Sequence, residues 1–291
     1  MLAIWSEMGI SPERQEAARG SGALRGARGT VMTAIAGLRS TYSGIAQLRG
    51  AVELGWYDFI TGYRRSLIGP FWVTIQFSAW ILSLTLILHA QLGDSLGSYA
   101  LYVAVGMMVW EPLSGAMAEG PRHFSQHAQL IQNVPIQLSH LSVRKLTFLV
   151  FRASMTAPVL LLLIVIFGGE VAINLPLLAL AAVLILMTMY AFIVLFGFIG
   201  TFNHDFGFFV PAVTRFLFFV TPIIWQANEG IRKTISYFNP FSYYLEIVRG
   251  SLLGLPMSVT SWIVVASISL TGLIAAFIVQ SVFRRSVIFW I

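Results

Sequence analysis

Few residues in this chain belong to types that do chemistry, and their spacing excludes most reactions. His123 and His127 stand at i, i+4, a spacing that can chelate zinc when both rings share a helix face. No Glu lies between them and the sequence contains no Cys, so they read as interfacial histidines and no metal is expected. No G-x-x-x-x-G-K-S/T stretch occurs, which predicts that the chain does not itself bind ATP, and no cofactor is expected in this chain. No Ser-His-Asp set or carboxylate pair is placed for catalysis. A membrane-embedded glycosyl- or acyltransferase would need an acid–base cluster that Glu119, His204 and Asp205 supply only weakly, so the chain is read as not an enzyme. What remains is three ionisable residues inside long apolar runs: Glu111, Arg152 and Arg215. Charge is costly in hydrocarbon and must face protein or water. Counted from the ends of their runs, all three lie roughly 9 to 14 Å deep. The expectation is that Glu111 shares a buried site with Arg152 or Arg215, either as a structural pair or as part of a substrate path.

The elements that hold these residues follow from composition. Of the 291 residues 57% are hydrophobic and only 10% charged, with mean hydropathy +0.80, which excludes a soluble globular protein and predicts an all-α polytopic membrane protein. The pI near 9.9 comes from basic residues in the first 65 positions and in short loops, a distribution that speaks for membrane topology and against nucleic acid. Six spanning helices are predicted: 71–88, 99–117, 146–167, 175–199, 206–224 and 259–283. Lys and Arg concentrate at Arg64, Arg65, Arg122, Arg144, Lys145, Arg284 and Arg285, against loops carrying only Asp94 or Glu170, so both termini are expected in the cytoplasm. No cleaved signal peptide is expected at Met1 to Ile10.

Before the first span, residues 1–44 read as a flexible, basic cytoplasmic tail. From Ile45 the apolar positions Leu48, Val52, Trp56, Phe59 and Ile60 predict an amphipathic interface helix over 45–61, lying along the membrane surface. Tyr63, Arg64, Arg65 and Trp72 mark the entry into the membrane, with Gly69-Pro70 opening the span. The Pro-bounded polar stretch 122–134 predicts a short helix outside the bilayer. The apolar residues Phe124, Leu130 and Ile131 in that stretch need a protein partner. Residues 226–257 read as external half-helices dipping back into the membrane. Their N-cap is Asn239-Pro240, and Trp225, Tyr237, Phe241, Tyr243 and Tyr244 serve either as a membrane belt or as stacking surfaces for a passing substrate. Residues 284–291 form the cytoplasmic C-terminus.

Several stretches recur in a characteristic order: Tyr63 to Trp72, Gly106 to Trp110, Leu130-Ile131-Gln132-Asn133-Val134-Pro135, Thr221-Pro222-Ile223-Ile224, Asn239-Pro240-Phe241 and Arg249-Gly250. Their succession over roughly 45–283 resembles the permease subunits of ABC polysaccharide exporters, which move O-antigens, capsular polysaccharides and teichoic acids. Departures fall at Gly62, Gln76 and Asn203-His204-Asp205. The resemblance implies a permease of the bacterial cytoplasmic membrane that dimerises with itself and recruits two copies of a separate ATPase, which binds ATP and Mg. It further implies that 122–134 is the coupling helix, with Arg122, Phe124, Leu130, Ile131 and Asn133 against the ATPase, and that Tyr63, Arg64, Arg65 and Trp72 form an entry gate. The implied substrate is a polysaccharide, expected to be lipid-linked, passing external gate aromatics. The alternative is an ABC permease exporting a lipid, drug or other small amphiphile.

Overall fold

The structure, a computed structural model, describes residues 48–291 other than 93–94, 135, 168–170, 228–229, 284–286 and 288–291. The chain divides into two units, 1–50 and 51–291. Of the first, only residues 48–50 are described, and they are helical. The readings of the 1–44 tail, of the start of the interface helix at 45–47, of the charges Asp94, Glu170, Arg284 and Arg285 and of the border at Pro135 lie outside the described residues, as does the C-terminal segment apart from Val287.

The protein is an all-α polytopic membrane protein, with no strand among the described residues. In chain order the helices are α1 (48–62), α2 (Phe71–Leu92), α3 (Leu96–Glu119), α4 (Ala128–Asn133), α5 (Leu138–Ser154), α6 (Ala157–Phe167), α7 (Leu175–Phe202), α8 (Phe206–Val220), α9 (Gly230–Phe238), α10 (Pro240–Leu253) and α11 (Val259–Phe283). Five segments are long and apolar enough to cross a bilayer: Phe71–Leu88, Leu96–Arg122, Leu138–Phe167, Leu175–Phe202 and Val259–Phe283. The predicted span over 206–224 is instead the 15-residue helix α8 followed by a non-helical strap, and at about 1.5 Å per residue it falls short of the roughly 30 Å hydrocarbon core. Pro222 explains the stop: the residue before proline is driven to extended geometry, and Thr221 takes ψ 137°.

Helix starts follow local chemistry. Ser95 accepts the Ser98 N–H ahead of α3, Asn174 accepts that of Leu177 ahead of α7, and Asn239 accepts that of Phe241 ahead of α10. The third predicted span begins two turns earlier than its apolar run, at Leu138, because Ser139 to Lys145 continue the helix beyond the apolar stretch. It also breaks at Met155-Thr156, ahead of Pro158, which has no N–H for the ladder. Thr74 on α2 donates its hydroxyl to the Met155 carbonyl at 2.7 Å, satisfying one group freed by the break.

The core is built around α3, which packs against α2, α5, α6, α7, α8 and α10, and on α7, which packs against α10 and α11. A polar knot ties the second group. Thr188 of α7 hydrogen-bonds Tyr244 of α10 at 2.8 Å and Ser269 of α11 at 2.9 Å. By hairpin connectivity Arg64, Arg65, Arg122, Arg144 and Lys145 share one end of the bundle, here termed the basic end. The strap after α8 and the α9–α10 segment lie at the far end.

Candidate functional site

Three structures stand out around the bundle: a charge ladder on α3, a polar elbow between α3 and α5, and a locked strap at the far end. The ladder differs from the sequence expectation. Arg152 pairs with Glu119, Nη1 to Oε1 at 2.6 Å, and Lys145 holds the other oxygen of the same carboxylate at 2.5 Å. Glu111 makes no ion pair among the described residues. It lines an open groove of about 370 Å³ between α2 and α3 with Gln76, Trp80 and Met107. Arg215 on α8 is exposed and has no ion-pair partner among the described residues. The three intramembrane charges therefore do not form one ion-paired site, although Arg152 is near enough for its charge to act on Glu111, and Arg215 stands apart from both. Arg152 extends along α3 toward Gly115 and is neutralised at the basic end, whereas Glu111, Gln76 and Arg215 present polar atoms on surfaces that flank apolar spans.

The elbow is not the single helix expected over 122–134. It consists of two 3-10 turns, Gly120–Arg122 and Ser125–His127, then the six-residue α4. Packing on α7 causes this. The Pro121 backbone lies so close to Gly200 that a Cβ there would come within 2.1 Å of the Pro121 carbonyl oxygen, and a continuous helix would swing that contact away. Phe124 is fully buried and meets Phe198 edge-on at 5.1 Å, and Ile131 is buried in the same cluster with Leu130 partly covered. The partner that Phe124 and Ile131 need is thus their own chain. Arg122, Gln126, Gln129 and Asn133 form the exposed side, with Arg122 resting over the Phe208 ring at 4.8 Å.

His123 is 1% exposed, and among the described residues its ring nitrogens make no hydrogen bond that meets normal geometry. Burial, with the charges of His127, Lys145 and Arg144 nearby, holds it well below the ordinary imidazole pKa. His127 directs Nδ1 to the His123 carbonyl at 2.8 Å, so the two rings do not converge on a cation. No group of three possible metal ligands exists among the described residues.

Beside the elbow, α1 has two faces. Ala51 and Phe59 are buried; Phe59 meets Phe148 and Phe151 of α5, and Asp58 takes a two-pronged ion pair from Arg144 at 2.5 and 2.7 Å. Val52, Trp56 and Ile60 stay partly exposed in a stripe suited to the headgroup layer, and Leu48 of the first unit is exposed too. The predicted apolar face is therefore split: Phe59 clamps the helix to the bundle, Trp56 packs one side of its ring on Phe151 at 4.6 Å while staying partly exposed, and Val52 and Ile60 face outward. In the following turn Tyr63 is half-buried, Arg64 and Arg65 are exposed, Arg65 adopts φ 71°, Leu67 is wholly exposed and Trp72 stands 44% exposed at the membrane entry.

At the far end the strap 221–225 is fastened by side chains. Tyr99 donates to the Ile224 carbonyl, Tyr102 to that of Trp225, and Arg249 to those of Pro222 at 2.8 Å and Ile223 at 3.1 Å. Arg249 is buried and lies 3.5 Å from the Tyr102 ring. Gly106 makes this possible, since a Cβ there would stand 2.5 Å from the Arg249 Nη2. Asn239 completes the lock by donating to the Thr221 hydroxyl, and Trp110 meets Phe241 edge-on at 5.5 Å. The stretches Gly106 to Trp110, Thr221 to Ile224, Asn239 to Phe241 and Arg249-Gly250 thus converge in one cluster. Of the five aromatics read as an external gate, Phe241 and Tyr244 are core residues. Trp225 and Tyr243 are half-buried and Tyr237 is exposed. Arg249 was legible in the sequence only as part of the Arg249-Gly250 stretch; its fastening of the strap was not.

No protein-family model and no curated protein matches the chain.

Proposed function

We propose that the chain is the transmembrane subunit of an ATP-driven exporter, pairing with a second copy to form the path by which a lipid-linked polysaccharide crosses the bacterial cytoplasmic membrane. Two copies of a separate ATPase, binding ATP and Mg, would supply the motion. The reading rests first on the succession of motifs that resembles this family. The observation that carries it further is the polar surface on the spans α2 and α3 and on the short apolar helix α8. Gln76 and Arg215 are exposed and Glu111 lines an open groove, in segments otherwise built for lipid. Such groups belong against water or a second polypeptide, and a path between two copies provides both. A hydrated polymer slides best along walls that bind it weakly at many points, and a few polar groups among Trp80, Phe216 and Phe219 fit that need.

The elbow supports the coupling role in a revised form. Its buried side, Phe124 and Ile131, joins it to α7 and α5, so a push on the exposed side moves spans rather than a loose loop. The docking side is then Arg122, Gln126, Gln129 and Asn133, flanked by α1. The basic end faces the cytoplasm in this reading, in line with the positive-inside rule. Deletion tests it: cells lacking the chain should retain finished polymer inside, and the chain together with its ATPase should restore export. Normal surface polymer in the deletion strain contradicts the reading, and lipid retained in place of polymer favours the amphiphile alternative.

A further inference from the structure

Glu111 and Arg215 are the two span charges that a single copy of the chain does not neutralise by contact. Neither makes an ion pair among the described residues, and a guanidinium cannot shed its charge. Arg215 stands within a stripe of α8 formed by Phe208, Ala212, Arg215 and Phe219, all of them exposed. Alternating steps of four and three residues keep one helix face turned to one neighbour, as in the seam between two packed helices. Against lipid, this stripe would carry the guanidinium into hydrocarbon along with its phenylalanines. Against protein, it needs a carboxylate at the same level. Glu111 lies on the wall of the open groove between α2 and α3, with Gln76 and Trp80. Both α2 and α8 pack on α3, so groove and stripe flank one helix. Their depths also match. Glu111 lies eight residues before Glu119, where α3 ends, and Arg215 nine after Phe206, where α8 begins. Both of these helix ends lie at the basic end, since Arg122 follows α3 closely and rests over Phe208. At about 1.5 Å per residue, the two charges stand about 12 and about 14 Å from it.

We infer that Glu111 of one copy pairs with Arg215 of a second copy, across a two-fold seam that sets the α2–α3 groove of each against the α8 stripe of the other. This seam rests on the pairing of copies proposed above and names the surface that makes it. Two copies inserted the same way in one membrane are related by an axis along the membrane normal, and rotation about that axis leaves depth unchanged. Only groups at equal depth can meet near it. A two-fold contact is reciprocal, so one seam brings both Glu111–Arg215 pairs together and neutralises four charges. Arg152 acts on Glu111 only from a distance, because its guanidinium is held by Glu119. Phe219 of the stripe and Trp80 of the groove supply apolar area beside the pair. The pair lies in the wall of the path between the copies, so both side chains stay within reach of water when the path is open.

The test uses two full-length versions of the chain with different affinity tags, one Glu111→Cys and one Arg215→Cys, with no other cysteine present. Co-expressed, they keep one untouched Glu111–Arg215 pair in each mixed dimer and place the two thiols at the other. A short bifunctional methanethiosulfonate applied to membranes should join the two tags many-fold more than it joins like chains where either version is expressed alone. Charge reversal checks the electrostatics. Glu111→Arg or Arg215→Glu alone should lower the dimer fraction seen by native mass spectrometry about tenfold, and the double variant should recover it at equal membrane abundance. Where a reversal reduces abundance, the neutral variants Glu111→Gln and Arg215→Gln should show the same order, each single variant dimerising less than the two combined. Dimers that form without the mixed cross-link, or a double variant no better than the singles, overturn the inference and leave the exporter reading standing. A folded chain that forms no dimer in membranes or detergent overturns both.

Discussion

Glu119 holds two cations at once, and its removal should be felt accordingly. Both partners are partly exposed, so the loss falls between the limits for surface and buried pairs. Glu119→Gln should cost about 2 kcal/mol, and a double-mutant cycle with Lys145→Met should show non-additive losses. Strictly additive losses would mean that the ladder does not couple. His123 makes a second prediction. Above its ordinary pKa of about 6.5 the ring is neutral in both folded and unfolded chains and adds no pH dependence. Below that value the unfolded chain takes up a proton that the buried ring refuses, so stability falls as pH falls. Thermal unfolding in detergent between pH 8 and 5 should show the wild type losing more stability on acidification than His123→Gln. Parallel losses in the two proteins would contradict the burial account. At this scale the sequence was least legible. Glu111, Arg152 and Arg215 were recognisable as costly charges, yet depth along a helix does not reveal which neighbouring helix faces which residue. The carboxylate that neutralises Arg152 sits at the very end of α3.

The elbow is the element whose two sides should behave differently. Phe124→Ala removes a fully buried ring from the groove beside Phe198, and truncations of that kind cost about 3 to 5 kcal/mol, so membrane abundance should drop. Substituting Gln126 and Gln129 together by Glu changes only the outward side. Abundance should stay normal while ATPase co-purification and polymer export fall. Reduced abundance in the Gln126/Gln129 variant, or normal export at normal abundance, would remove the docking role from that side. The elements themselves were largely readable, because long apolar runs with few charges can only be spans and the caps Ser95, Asn174 and Asn239 are local signals. Their ends were not. Pro222 stops α8, but the strap that follows is held by Tyr99, Tyr102 and Arg249 from elsewhere in the chain, and the uneven elbow depends on Gly197 and Gly200 of α7, which lie 73 and 79 residues from the Phe124 and Pro121 they admit.

For the whole molecule, the account stands or falls on whether the polar surface within the spans is wet. The absence of cysteine makes single-cysteine scanning straightforward. Residues 82, 161 and 278 are exposed apolar positions of α2, α6 and α11 and serve as lipid-facing controls; residue 64 serves as the aqueous control. The deciding measurement is the rate at which a membrane-impermeant maleimide, applied to inside-out vesicles, labels cysteines placed at 76, 111 and 215. A translocation path predicts labelling of these three at rates approaching that at 64 and far above those at 82, 161 and 278, with slowing when polymer occupies the path. Labelling at 76, 111 and 215 no faster than at the lipid-facing controls would contradict it.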